Sequence, residues 1–244
     1  MMEMMMRSRN DKVILAAHFR AKGRVHVPGL LAAEQAFTLR EALLASNHWR
    51  LVFNRGEQLY ELDRATLGGM SAEQRQTLLD AIHREGRNSF QYVYESIRVP
   101  ELVSASSGEL ELDEFALFLN SVSFLEFARR LVGDDDINYV DCQATRFGAG
   151  HFLNEHDDAV AGKDRVAAYV FNLTAPWQAH WGGQLQFIGS DGHVDEAFVP
   201  TFNALNLLRV PQRHLVSAVA PLADPEVGRL SVTGWLRRRP PALA

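Results

Sequence analysis

Three side chains and one strand carry most of the chemistry legible in this chain. His156-Asp157-Asp158 closes the run R-F-G-A-G-H-F-L-N-E-H-D-D, Arg146 to Asp158. In an extended segment side chains alternate faces, which sets His156 and Asp158 on one side and Asp157 on the other. An imidazole and a carboxylate two residues apart can hold one ion. A distal His214 would complete a 2-His-1-carboxylate set that leaves coordination positions open, the donor set of non-haem Fe(II) centres. Farther on, in Gly228-Arg229-Leu230-Ser231-Val232-Thr233-Gly234-Trp235, Arg229, Ser231 and Thr233 share a strand face by period two, opposite Leu230 and Val232. A guanidinium among apolar strand residues needs an anionic partner, because an unpaired buried charge is costly. No acidic residue is spaced to serve it locally. A dicarboxylate would, its distal carboxylate forked by Arg229 and receiving a further hydrogen bond from Ser231.

A second H-x-D, His193-Val194-Asp195, competes with the first. If the first ligands and the distal histidine lie on opposite sheets of a β-sandwich, several strands must intervene, at roughly ten residues per strand and turn. Asp158 to His214 leaves room for about four or five such units, Asp195 to His214 for barely two. His193 also follows the Asp191-Gly192 turn and is expected to be exposed. His151 and His180 stay open as ligands or substrate contacts, against the plainer reading of loop or core residues.

The elements that must position these groups change in texture along the chain. Leucines, alanines and Phe37 recur at helical spacing from Leu31 to Ser46. Asn47 through Gly69 reads as polar and turn-rich. Ser71-Ala72-Glu73-Gln74 is an S-x-x-Q capping box for a helix to about Arg84, with Gly86 placed to end it. Phe90 to Tyr94 has the aromatic content of a strand. Glu114 to Leu131 reads as two linked helices, with Ser123-x-x-Glu126 as a second capping box and Gly133 as the stop. After Asp136 short strands alternate with turn signals, near 137–147, 166–173, 184–188, 193–199, 204–210, 214–219 and 229–236. The expectation is an α+β protein, mainly β in its core: one domain over 1–244, with a mainly helical support region (1–135), a β core (136–237) and a tail (238–244).

Composition sets the outer limits. The chain has 244 residues and 47% hydrophobic content, enough for a substantial core. A net charge of -5 argues against a general nucleic-acid binder, and Arg237-Arg238-Arg239 reads as a solvated tail. The single Cys142 excludes an internal disulfide framework and fits a reducing compartment. No run approaches a membrane span, and the apolar run Val13 to Phe19 is short and interrupted by His18, so neither a membrane anchor nor a signal peptide is expected and the location expected is cytoplasmic. The small, polar loop from Val103 to Leu110 and the segment Ala159 to Asp164 are the expected entrance walls of a site.

Taken together, F-L-N-E-H-D-D, W-G-G-Q-L-Q-F (Trp181 to Phe187), R-H-L-V-S-A-V (Arg213 to Val219) and G-R-L-S-V-T-G-W resemble the prolyl-4-hydroxylase-like Fe(II)/2-oxoglutarate dioxygenases, in the branch of the ribosomal-protein prolyl hydroxylases. The likeness runs from about Asp141 to Leu236. It implies a double-stranded β-helix in which His156, Asp158 and His214 hold Fe(II), Arg229 holds the distal carboxylate of 2-oxoglutarate, and O2 is consumed with release of succinate and CO2. It also puts Phe147 where the family often has a tyrosine that helps bind the co-substrate. Asn172, Tyr169 or Ser231 would have to supply the missing hydrogen bond. The chain is too short for the second β-helix domain of the eukaryotic ribosomal enzymes. The substrate implied is a prolyl or other residue in a peptide or protein. The alternatives are a free amino acid or small biosynthetic intermediate, or a non-catalytic β-helix used for binding or sensing. Oligomeric state is not legible.

Overall fold

The computed structural model describes residues 4–100, 106–225 and 228–239. The chain begins with helix α1 (Lys12–Lys22), strand β1 (Arg24–Pro28) and helix α2 (Ala33–Ala45). A hairpin of β2 (Arg50–Arg55) and β3 (Gln58–Asp63) follows, then α3 (Arg64–Gly69), α4 (Ala72–Glu85), β4 (Tyr92–Arg98), α5 (Leu110–Leu119) and α6 (Val122–Val132). The remaining strands are β5 (Tyr139–Val140), β6 (Gln143–Phe147), β7 (Phe152–His156), β8 (Arg165–Asn172), β9 (Leu185–Ile188), β10 (Val194–Phe198), β11 (Ala204–Arg209), β12 (His214–Val216) and β13 (Arg229–Arg237). No helix among the described residues is long and apolar enough to cross a membrane.

The strands join in one antiparallel ribbon of order β1-β11-β8-β13-β6-β4-β7-β12-β9-β10, with β2 and β3 extending it from β4 and β5 attached to β13. The ribbon turns back on itself at β4, which pairs along one edge with β7 at its start and β6 at its end, while β2 takes the opposite edge. That makes a large and a small half facing each other across a cavity, the double-stranded β-helix. Strand parity decides what each half shows the cavity. On β8, Ala168 and Val170 face in, while Ala167, Tyr169 and Phe171 point the other way. On β13, Arg229, Ser231, Thr233 and Trp235 face in, and Leu230, Val232 and Leu236 face out. The outward set meets α1, α2, α5 and α6 in the main core, where Phe19, Leu39, Leu43, Phe115 and Phe124 are fully buried. Phe115 lies stacked on Phe171 with ring centroids 5.0 Å apart, a pair worth about 1 kcal/mol beyond the area it buries.

The helix ends are set locally. Ser71 accepts from Gln74 N while the Gln74 side chain accepts from Ser71 N, so the first capping box forms and α4 ends before Gly86. The second expected box does not. Ser121 caps α6 by accepting from Phe124 N, and Ser123 lies inside the first turn. Both serines precede a plausible helix start, and the break after α5 favours the earlier one: Asn120 turns its side chain to the Ala116 and Val140 carbonyls and receives Val140 N.

The first 135 residues contribute more β structure than their texture suggested. The passage 47–69, expected to be turn-rich, is the β2–β3 hairpin followed by α3. Its second strand is half exposed, so polar residues on the wet face hide the alternation. β1 pairs with β11 over its whole length, and β4 is the hinge strand of the ribbon, so the sheet does not begin at residue 136. Helix α1 was also unexpected: the run from Val13 is amphipathic, with Leu15 and Phe19 buried at i and i+4 and Gly23 closing it at φ 71°.

Candidate metal and co-substrate site

The His156, Asp158 and His214 donor atoms all lie within 4.8 Å of one another at the mouth of the cavity. Nε2 of His214 is 3.5 Å and Nε2 of His156 3.6 Å from the Asp158 carboxylate, and the two imidazole centroids are 4.2 Å apart. The geometry behind this differs from the expectation in two ways. The histidines are not on opposite sheets: β7 and β12 are neighbours, and His156 and His214 are direct cross-strand partners. The long sequence gap arises because the chain visits the large half through β8 and β11 before returning. Nor does alternation along a strand align Asp158 with His156. β7 stops at His156, and Asp158 sits in the left-handed region at φ 65°, uncommon for a residue with a side chain. Arg165 holds it there, donating from Nη1 to the Asp158 carbonyl at 3.0 Å. Asp157 is exposed, as expected, and caps the turn by accepting from Ala159 N.

Each histidine is oriented by the same short-range device. Nδ1 of His156 lies 2.8 Å from the Asn154 carbonyl and Nδ1 of His214 2.7 Å from the Gln212 carbonyl. A carbonyl oxygen can only accept, so both Nδ1 atoms carry the proton and both Nε2 lone pairs face the carboxylate. That is the tautomer a metal requires, fixed before any ion arrives. Burial lowers the His214 pKa below the usual imidazole value, and the neighbouring His156 adds to the effect. The ring is thus kept neutral and available as a donor.

Deeper in the same cavity, of about 210 Å³, stands Arg229. It is 2% exposed, and among the described residues its Nε has no hydrogen-bond partner and its only side-chain hydrogen bond is from Nη1 to the Ser231 hydroxyl at 3.4 Å. Among the described residues no carboxylate pairs with it. Burial alone pushes its pKa down to about 10, and it remains charged at neutral pH. An orphaned guanidinium of this kind fits an anionic ligand that enters the cavity. Thr145, opposite Ser231 on β6, shares a 2.9 Å hydrogen bond with it, so the two hydroxyls form a pair beside the arginine. Phe147 lies opposite Arg229, with the guanidinium 4.9 Å from its ring.

Of the three residues expected to offset Phe147, only Ser231 lines the cavity. Tyr169 is on the outward face of β8, fully buried among the helices, with its hydroxyl donating to the Asp141 carbonyl. Period two along β8 puts it there: Ala168 and Val170 take the inward face. Asn172 closes β8 and points its amide at the Ala204 carbonyl, away from the cavity wall. The other histidines stay apart. His193 is exposed in the turn that Asp191 caps, His180 is exposed beside Trp181, and His151 is half-buried, apart from the triad. Sequence reasoning passed over the wall opposite Arg229, made of Phe90, Tyr92 and Tyr94. These alternate at period two in F-Q-Y-V-Y, a legible signal of one aromatic strand face. Phe90 comes within 5.7 Å of the His156 ring, and Tyr94 stacks on Phe147 at 5.1 Å. Burial above all, with Tyr92 alongside, pushes the Tyr94 hydroxyl up to about 12, so it keeps its proton and acts as a donor.

Residues 142–237 match the family model described as the 2OG-Fe(II) oxygenase superfamily. Three solved structures share the fold. A prolyl-4-hydroxylase from Pseudomonas putida is 16% identical at TM-score 0.57, over 94% of this chain and 100% of that one. A prolyl hydroxylase from Trichoplax adhaerens, solved with a hypoxia inducible factor oxygen degradation domain peptide fragment, is 14% identical at TM-score 0.57, over 93% and 89%. The non-heme alpha ketoglutarate dependent epimerase SnoN from nogalamycin biosynthesis is 14% identical at TM-score 0.55, over 96% and 87%. The matched segment, which is less than half of this chain, contains the histidines, the aspartate and the buried arginine described above, so the likeness to the 2OG-Fe(II) oxygenase superfamily falls on the candidate site itself.

Proposed function

We propose that the protein hydroxylates a prolyl, or comparably compact, residue within a peptide, using His156, Asp158 and His214 to hold the iron and Arg229 with Ser231 to hold the distal carboxylate of 2-oxoglutarate. The observation that carries the assignment of roles is the unpaired Arg229, buried in the same cavity as the triad. When bound, iron and 2-oxoglutarate together supply the oxidising power that cleaves an unactivated C–H bond. The chain's own part is placement. Arg229 fixes the far end of the co-substrate by charge, and the Thr145–Ser231 hydroxyl pair adds the hydrogen bond that Phe147 lacks. Tyr94, protonated, offers a donor on the substrate side. Phe90, Tyr92 and Trp235 form an apolar slot that suits a saturated ring and excludes water from it.

Likeness to prolyl hydroxylases that span this chain supports the peptide reading, and the epimerase of the same fold is the reason to test it. The test is succinate formation and mass shift with proline-containing peptides against a panel of free amino acids. Hydroxylated peptide with matching succinate is the expected result. Coupled turnover of a free amino acid and of no peptide overturns it.

A further inference from the structure

The Gly182-Gly183 turn of W-G-G-Q-L-Q-F takes no part in the reading above, yet it lies against the stem of Arg229. A methyl group built on Gly183 would stand 3.0 Å from Arg229 Cδ, 3.3 Å from Trp177 Cζ2 and 3.3 Å from Val219 Cγ2. Carbon atoms pack at about 3.5 to 4.0 Å, so the space beside Gly183 is already taken by the arginine stem and two apolar neighbours. Gly183 also sits at φ 63° and Gly182 at φ 72°, a region that side chains rarely adopt. On Gly182 the same methyl group would fall 2.1 Å from the Ala218 carbonyl oxygen, so that glycine serves the close approach of two backbones.

The turn is pinned from several directions. Trp177 Nε1 donates to the Gly182 carbonyl at 2.9 Å. Gly183 N donates to the Ser217 carbonyl at 3.2 Å, and Ala220 N donates to the Trp181 carbonyl at 2.9 Å. Ser217 and Ala220 belong to the segment that leaves β12, the strand that begins with His214. A turn fastened to the His214 strand therefore forms a fixed wall along the aliphatic stem of Arg229. The guanidinium at the end of that stem lies 4.9 Å from the Phe147 ring, with Nη1 on the Ser231 hydroxyl. A side chain on the turn would push the stem and carry the guanidinium with it.

From this contact we infer that Gly183 is a positioning residue for the co-substrate: its lack of a side chain lets the Arg229 stem lie in the wall with the guanidinium set for the distal carboxylate. Gly183 does not line the cavity and acts through Arg229. The turn thereby takes part in selecting 2-oxo acids that carry a second carboxylate over those that do not. The inference rests on the proposed role of Arg229 in holding 2-oxoglutarate.

The full-length protein, loaded with Mn(II) in the absence of oxygen, is titrated calorimetrically with 2-oxoglutarate and with 2-oxobutyrate, which has the same 2-oxo acid head and no distal carboxylate. Gly183→Ala should bind 2-oxoglutarate about 10-fold more weakly, the ratio expected for one charge-assisted contact, with 2-oxobutyrate affinity and metal content unchanged. Gly133→Ala controls for backbone strain: Gly133 ends α6 at φ 78° with open space beside it among the described residues, so this variant should lose stability and keep both affinities. Equal weakening of the two ligands by Gly183→Ala, or a 2-oxoglutarate affinity no lower than in Gly133→Ala, overturns the inference. Should Gly183→Ala fail to fold, Trp177→Phe decides, because it removes the hydrogen bond that pins the turn and leaves both glycines in place. It should weaken 2-oxoglutarate alone by about 3-fold, and no change, or the same change in both ligands, overturns the inference. Arg229→Ala separates the two claims. If it weakens 2-oxoglutarate and Gly183→Ala does not, the role of Gly183 falls and that of Arg229 stands; if it leaves 2-oxoglutarate binding intact, the role proposed for Arg229 falls and takes that of Gly183 with it.

Discussion

At the scale of single residues, the site depends on groups whose protonation and orientation are settled by atoms two positions away. The Asn154 and Gln212 carbonyls fix the tautomers of His156 and His214, so removing either ring should remove a donor that no neighbour replaces. His156→Ala or His214→Ala is expected to abolish turnover and sharply weaken metal binding, while His193→Ala leaves both unchanged; metal content after dialysis distinguishes them. Arg229→Ala should raise the 2-oxoglutarate requirement more than ~10-fold with iron retained, since a charge-assisted contact to a carboxylate is lost. An unchanged co-substrate titration would reject the role given to it. The grouping of the donor set was legible because its chemistry is rare, although neither strand alternation nor opposite sheets is what brings His156, Asp158 and His214 together. The companions of Arg229 were not. Tyr169 offers a hydroxyl in sequence, but its strand parity commits it to the helical core. Thr145 becomes relevant only through its register with Ser231 on another strand.

At the scale of elements, most strands after residue 136 were legible from turn spacing, though β7 was missed, and before it the aromatic run at Phe90 to Tyr94 marked β4; what was not legible is how the early strands pair, because their partners lie far along the chain. β1 finds β11, and β4 finds β6 and β7. Helices fared better where caps are local, with one instructive exception. Ser121 and Ser123 are two residues apart and both look like caps; the carbonyls and amide engaged by Asn120 select the first. Ser121→Ala should therefore cost about 1 kcal/mol, and Ser123→Ala much less. Denaturant midpoints of the two variants check this, and equal losses would return the cap to Ser123. The left-handed Asp158 belongs to this scale as well. β7 ends at His156 itself, and the turn, more than the strand, aims the Asp158 carboxylate.

At the scale of the whole molecule, the ribbon buries His214 and half-buries His151, and this sets how the protein responds to acid. His151 and His214 both have pKa values lowered chiefly by burial. In the unfolded chain each takes a proton near the ordinary value of about 6.5, and in the folded chain only at lower pH. The unfolded state therefore binds more protons in that window. The stability these groups contribute is full above about 6.5 and is lost as the pH falls through their folded values. The metal-free protein should show a falling denaturation midpoint on acidification from pH 7 to 5, and His151→Asn should flatten part of that slope. A midpoint independent of pH over this range would contradict the burial of both rings. The arrangement of the two half-sheets was legible only through family resemblance, because composition and periodicity do not say how a ribbon closes.

Arg229 invites a final consequence in thermodynamic terms. A cation sealed in a wall with no counter-ion among the described residues is a standing penalty on the native state, and any ligand that neutralises it stabilises the fold as well. By linkage, a co-substrate at about 100 times its dissociation constant adds about 2.7 kcal/mol to the unfolding free energy. Melting temperature should thus climb with 2-oxoglutarate concentration, and more weakly with succinate, which shares the distal carboxylate. The protein's persistence against proteolysis would then track the supply of small dicarboxylates around it, coupling its abundance to the proposed co-substrate.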